Sequence, residues 1–234
     1  MIYMGSKNRL AKHIAPIIQS YVTPFTKGYL EPFVGGANMI DKIQCHKKIG
    51  CDIHPKLIAL LTYIQDETNK LPCGVTAEEY KIVSKNRDAY PDWYVGLVGF
   101  CASFGPRYFE GYARSSPRQN YIAERIVALE RQRPALKSIH FKACDYLSIP
   151  SLNNYVIYCD PPYKNTKKYT GAFDTNIFWE WVRKYSENNT VLVSEYQAPD
   201  DFTSIFSKTI NSTVGLVSTK MPEKLFLLKG SRIE

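Results

Sequence analysis

The run Tyr155-Val156-Ile157-Tyr158-Cys159 is uniformly apolar and stops on Asp160-Pro161-Pro162-Tyr163. An unbroken, β-branched and aromatic stretch of this length reads as a strand buried on both faces, which implies a sheet covered on both sides. Thr190-Val191-Leu192-Val193-Ser194 repeats the signal. Shorter strands are expected at Tyr29-Leu30-Glu31, running into Pro32-Phe33-Val34-Gly35-Gly36, at Lys48 to Asp52, and at Ser138 to Ala143. Between them the apolar spacing changes to that of helices. Leu10, Ile14, Ile17 and Ile18 share one face of Leu10 to Gln19, and helices are also expected at Ala37 to Ile43, His54 to Glu67 and Phe173 to Ser186. Strands alternating with helices predict an α/β domain built on a mostly parallel sheet. Segments Ser204 to Lys208 and Lys224 to Leu228 are expected to close it as an antiparallel edge hairpin.

From about Leu71 to Pro134 the character changes to helical patterns dense in aromatics and arginine, interrupted by Ser103-Phe104-Gly105-Pro106 and Ser115-Ser116-Pro117. A division follows: residues 1–70 and 135–234 form the sheet domain, and 71–134 an inserted helical lobe. The formal charge of +8 favours a polyanionic partner, because Lys and Arg displace counterions condensed on phosphates. Between Lys81 and Lys137 ten Lys or Arg stand against five Asp or Glu, so this segment is the candidate electrostatic footprint. Cys45, Cys51, Cys73, Cys101, Cys144 and Cys159 form none of the Cys-x-x-Cys pairs that zinc or redox sites use. They read as reduced, buried small side chains, and no metal is expected. No secretory signal or membrane-spanning run stands out, so a cytoplasmic protein is expected.

Asp160-Pro161-Pro162-Tyr163 carries the strongest chemical signal, a combination expected by chance in roughly one chain in a thousand of this length. At the carboxyl end of a strand in an open α/β sheet, a loop faces the crevice where ligands bind. Two prolines stiffen it and remove two N–H groups, which leaves carbonyls as acceptors. The Asp160 carboxylate and the Pro161 carbonyl can then engage both hydrogens of a planar exocyclic amine such as adenine N6. That grip gives the nitrogen tetrahedral character and aims its lone pair at an activated methyl group. Tyr163 offers a flat face for a base extruded from a duplex. The plainer alternative is a turn with a capping Asp.

Tyr3-Met4-Gly5-Ser6-Lys7, Glu31-Pro32-Phe33-Val34-Gly35-Gly36, Asp52 and Asp160-Pro161-Pro162-Tyr163 stand in the order found in Dam-type DNA adenine-N6 methyltransferases of the alpha group. The chain resembles a compact phage-encoded member of that family along nearly its full length. Ser194-Glu195-Tyr196-Gln197-Ala198-Pro199 and Glu223-Lys224-Leu225-Phe226 resemble the family's distal segments. The resemblance implies a Rossmann-like S-adenosylmethionine-dependent methyltransferase fold whose inserted lobe recognises the target. It further implies S-adenosylmethionine as cofactor, S-adenosylhomocysteine as product, and double-stranded DNA as partner of a monomer.

The resemblance implies catalytic roles for Asp160, Pro161, Pro162 and Tyr163. For the cofactor it implies Tyr3, Lys7, Glu31, Phe33, Gly35, Asp52, Asp145, Tyr146 and Asp160. Lys7 would close over the methionine moiety, Asp52 would accept from the ribose hydroxyls, and Asp145 from the adenine amino group. Helix capping remains open for Asp52, a turn for Asp145, and simple solvation for Lys7. Arg107, Tyr108, Arg114, Arg118, Lys164, Lys167 and Lys168 are the DNA-contact candidates, although the lobe aromatics equally suit a core and the lysines a solvated loop. Family members commonly carry Gly-Gly-Lys after Ser-Phe, where this chain has Gly105-Pro106-Arg107. Three other readings stay open: methylation of RNA or a protein amide, an inactive relative that only binds DNA, and a nicotinamide oxidoreductase.

Overall fold

The structure is a computed structural model that describes residue 1 and residues 7–114, 119–162, 173–209, 212–214, 217–219 and 222–230. Among the described residues the main sheet has seven strands. In chain order these are β1 (Gly28–Glu31), β2 (Lys48–Asp52), β3 (Ile139–Ala143), β4 (Tyr155–Cys159), β5 (Thr190–Glu195), β6 (Phe202–Thr209) and β9 (Pro222–Leu228). They lie in the order β3-β2-β1-β4-β5-β9-β6, and β7 (Ser212–Val214) and β8 (Val217–Thr219) form a separate antiparallel pair. The five strands from β3 to β5 are mutually parallel, and β9 runs antiparallel to both β5 and β6. This is a Rossmann-like α/β fold. Every residue of β1 and β4 is buried, as continuous apolar central strands require.

The strand order reverses between β1 and β4. Crevices at the carboxyl ends of strands form at such a switch point, so Glu31 and Asp160, which end or follow these two strands, fall at its mouth. One face of the sheet carries α1 (Asn8–Ser20), α2 (Pro55–Gln65), α4 (Asp92–Cys101) and α5 (Tyr121–Leu136) in a shared apolar core. The other carries α6 (Thr175–Ser186), whose Phe178, Trp179, Trp181 and Val182 pack over Ile157, Val191 and Val193. Asp174 starts α6 by accepting from the N–H groups of Asn176 and Ile177. Among the described residues no helix is long and apolar enough to cross a membrane.

One expectation is corrected. Ala37 to Ile43 is not an α-helix: turns lead into a short 3-10 segment, Ile40–Lys42. Ala37 sits in the left-handed region at φ +55°, and Gln132 of α5 donates to the carbonyls of Gly36 and Ala37, a role for these carbonyls set by a distant helix rather than by local spacing. The distal strands pair antiparallel at the sheet edge as expected, with β9 lying between β5 and β6 and β6 outermost. That insertion carries Glu223, the second residue of β9, back toward the switch point.

The helical segment from 77 to 136 is tied closely to the sheet domain. Helix α3 (Ala77–Lys85) opens with a capping box between Thr76 and Glu79. Helix α4 crosses α2 so closely that a Cβ on Gly96 would lie 2.1 Å from the Lys56 carbonyl oxygen. Arg125 of α5 donates to the carbonyls of Cys101 and Ser103, and Arg133 to those of Ile64 and Asn69. Both arginines are buried, so part of the local positive excess serves packing. Of the cysteines, Cys51, Cys101 and Cys159 are buried, whereas Cys73 is exposed; all six are free thiols.

Candidate active site

Asp160 follows the last residue of β4, and its Oδ1 lies 2.9 Å from Lys7 Nζ. Lys7, immediately before α1, also reaches Glu223 Oε1 at 3.5 Å. The lysine is only 8% exposed, and its carboxylate partners are 21% (Asp160) and 5% (Glu223) exposed. Burial opposes the Lys7 charge, but attraction to Asp160 and Glu223 outweighs it and raises the lysine pKa above its ordinary value. Two further acids flank the group. Glu31, buried at the end of β1, accepts from Tyr29 Oη at 2.7 Å, and burial drives its pKa well above the usual carboxylate range. Glu195, ending β5, is raised by burial to about 7 even though its Oε1 accepts from the Tyr196 N–H. Pro161 is buried and Pro162 partly so.

A second constellation lies at the ends of β1 and β2. Gly35, at φ +47°, donates its N–H to Asp52 Oδ2 at 3.0 Å, and the His54 N–H donates to Asp52 Oδ1 at 3.0 Å. A positive φ is what glycine tolerates and side-chain-bearing residues resist, so Gly35 lets the loop turn back onto the carboxylate. Asp52 is thus shared between the glycine loop and the entry to α2. The cap of α2 itself is His54, whose Nδ1 accepts from the Leu57 N–H. Burial raises the Asp52 pKa, and the backbone donors limit the rise.

Phe33 packs with Tyr146, Phe173 and Phe178, at centroid separations of 5.2, 5.9 and 5.8 Å. Tyr146 is buried in this aromatic wall, whereas Asp145 is exposed and its Oδ1 accepts from the Leu147 N–H at 2.9 Å, capping a 3-10 turn. Asp145 is therefore engaged in a turn, one of the two roles open to it from sequence. The structure brings Lys7 to Asp160, Gly35 to Asp52 and Phe33 to Tyr146.

In the lobe, Arg107 is exposed and pairs with Glu110 at 3.5 Å, and Arg114 is also exposed. Tyr108 instead packs against His54 and Phe100, at 4.3 and 4.9 Å, with the Arg87 guanidinium over its ring. Phe109 and Tyr112 pack on Tyr80, and Tyr112 Oη donates to the Val75 carbonyl. These aromatics build the lobe's interior. Phe104, which the sequence did not single out, is 69% exposed at the loop tip next to Gly105. Glu195 and Glu223 were likewise noticed only as parts of distal segments, although their charge beside an apolar strand was a usable signal. Tyr3, Arg118, Tyr163, Lys164, Lys167 and Lys168 lie outside the described residues.

Residues 3–93 match the family model of the D12 class N6 adenine-specific DNA methyltransferases. The match spans Lys7, the glycine loop, Asp52 and the start of α4, and supports an S-adenosylmethionine-dependent methyltransferase. No curated protein matches the chain. Among solved structures, two of the rRNA methyltransferase aviRa from Streptomyces viridochromogenes align at 13% and 12% identity with TM-scores of 0.43 and 0.44, covering 94% and 97% of this chain and 84% and 86% of theirs. SMU.472 complexed with SAH aligns at 12% identity and a TM-score of 0.36, over 97% of this chain and 54% of its own.

The residues present fit S-adenosylmethionine in kind. Asp52 offers carboxylate acceptors of the type a ribose diol needs, and the positive-φ Gly35 permits close backbone approach. Phe33, half-buried beside Tyr146, is an aromatic side chain of this wall that can meet a purine. Among the described residues no His, Cys, Asp and Glu group is arranged to hold a metal ion.

Proposed function

We propose that this protein is a Dam-type DNA methyltransferase that methylates N6 of an adenine extruded from duplex DNA. The observation that carries the reading is Asp160 at the sheet's switch point, fixed by Lys7 at 2.9 Å and followed directly by the stiff Pro161-Pro162 pair. S-adenosylmethionine would be held by Phe33, Gly35, Asp52 and Tyr146 and would supply an activated methyl group. Asp160 and the Pro161 carbonyl accept the two N6 hydrogens, which orients the amine and raises its nucleophilicity. As positive charge develops on N6, the nearby carboxylates stabilise it. Residues 71–134 are the target-recognition lobe, and exposed Arg107, Arg114 and Phe104 are its DNA-facing side chains.

The test is direct. The protein is incubated with unmethylated duplex DNA and methyl-labelled S-adenosylmethionine, and the DNA is digested to nucleosides. Label is expected in N6-methyldeoxyadenosine, and Asp160→Ala is expected to abolish it. Label confined to cytosine, or near-normal turnover in Asp160→Ala, would refute the assignment.

A further inference from the structure

Lys7 contacts Asp160, the residue proposed to grip the target amine, and this creates an electrostatic difficulty. An ammonium 2.9 Å from the carboxylate fixes its rotation but also cancels its charge, just where a cationic nitrogen must develop. Glu223 resolves this. It touches the same ammonium at 3.5 Å and is almost fully buried, so Asp160 shares the lysine with a second carboxylate. Resting on the methyl-transfer reading, we propose that Lys7 and Glu223 are positioning residues: Lys7 orients Asp160 through Oδ1, and Glu223 draws on the same ammonium so that the acceptor retains its pull on the amine. The insertion of β9 between β5 and β6 gives the distal hairpin this role, because it is β9 that brings Glu223 to a lysine more than two hundred residues earlier in the chain.

Among the described residues, other groups face the triad from the neighbouring strands. Glu31 projects from β1, Tyr158 from β4, and Glu195 and Tyr196 from the end of β5. Tyr158 Oη is bonded to Ser194 Oγ at 2.8 Å and is buried. Glu31 accepts from Tyr29 Oη, and burial raises Glu195 to about 7.

The experiment uses the full chain, duplex DNA and labelled S-adenosylmethionine, with kcat and KM measured from about pH 3.5 to 9 for wild type, Lys7→Met, Lys7→Arg, Glu223→Gln and Glu223→Asp, a range that brackets the ordinary carboxylate and histidine titrations. Glu223→Gln keeps shape and a polar contact but removes the charge. It should lower kcat roughly tenfold or more, as expected for one charge within several ångströms of a developing cation, and leave both KM values near wild type. Glu223→Asp should recover part of the loss. Lys7→Met should move the acid limb of the pH profile upward by about a unit or more, and Lys7→Arg should return it. In the ligand-free protein, thermal unfolding of Lys7→Met, Glu223→Gln and the double variant should be non-additive, which reports the pair independently of activity. Active wild type together with wild-type kcat in Glu223→Gln overturns the proposal alone, as does an unmoved acid limb in Lys7→Met. Wild type that transfers no methyl to adenine overturns the reading beneath it as well.

Discussion

Substituting Asn for Asp52 separates the architectural from the cofactor-binding role of this residue. Its two oxygens accept from the Gly35 and His54 N–H groups, each at 3.0 Å. An amide has one oxygen, so whichever way the asparagine side chain turns, its NH2 group faces a backbone donor. One hydrogen bond to a charged acceptor is lost, worth about 1.5–3 kcal/mol, and a donor is left opposed. Relief of carboxylate burial, the cause of its raised pKa, offsets part of this. The net cost is about 2 kcal/mol, which for a chain of this size lowers Tm by roughly 4–8 °C. If the carboxylate also receives a ribose diol, S-adenosylhomocysteine affinity measured by calorimetry should fall more than tenfold. The calorimetry should be run well below the variant's Tm, so that unfolding does not enter the comparison. An unchanged Tm would refute the hydrogen-bond argument. A destabilised variant with wild-type affinity would confine Asp52 to holding the glycine loop.

Gly96→Ala should lower stability by about 1–3 kcal/mol, seen as a lower midpoint in urea, because its Cβ would stand 2.1 Å from the Lys56 carbonyl oxygen and force α4 off α2. His54, packed between Phe100 and Tyr108, is lowered by burial to about 4, so the unfolded chain binds its proton first. Stability should therefore fall as pH drops from about 6.5 towards 4, by no more than about 3 kcal/mol, and His54→Leu should flatten that slope in thermal melts. Glu195 has the opposite sign. Its pKa is raised to about 7, so its contribution is complete below about pH 4.5 and is lost as pH rises through 7; Glu195→Gln should remove that loss. Arg107→Ala should weaken DNA binding and reduce the salt slope of log K by about 1, whereas Phe104→Ala should weaken binding at unchanged slope. Equal salt slopes for the two variants would count against Arg107 as a phosphate contact.

Elements whose environment is uniform were legible in the sequence. A central parallel strand such as β4 declares itself by unbroken apolarity, and α6 by its apolar face, although its cap, Asp174, lies inside the span expected to be helical. The segment after the glycine loop was not, because its helix-like spacing competes with Gln132, which takes the Gly36 and Ala37 carbonyls from almost a hundred residues away. Charge counting overstates the exposed excess for a related reason. Arg125 and Arg133 add to the formal excess of the lobe, yet both point inward to backbone carbonyls, so they bear on docking the lobe rather than on a polyanion.

The candidate site divides along the same line. Asp160 and Gly35 were visible because a rigid turn and a glycine loop leave local signatures. The partner of Lys7 was not, since no spacing rule links residue 7 to residues 160 and 223; only the strand order does. A lysine placed by resemblance over the cofactor is, in the fold, the counter-ion of the acid that would grip the substrate. Its pairing with a second buried carboxylate follows from the antiparallel entry of β9. What the sequence conceals is thus specific in kind: interactions between the ends of strands that the sheet order makes adjacent, which is where a switch-point crevice assembles its chemistry.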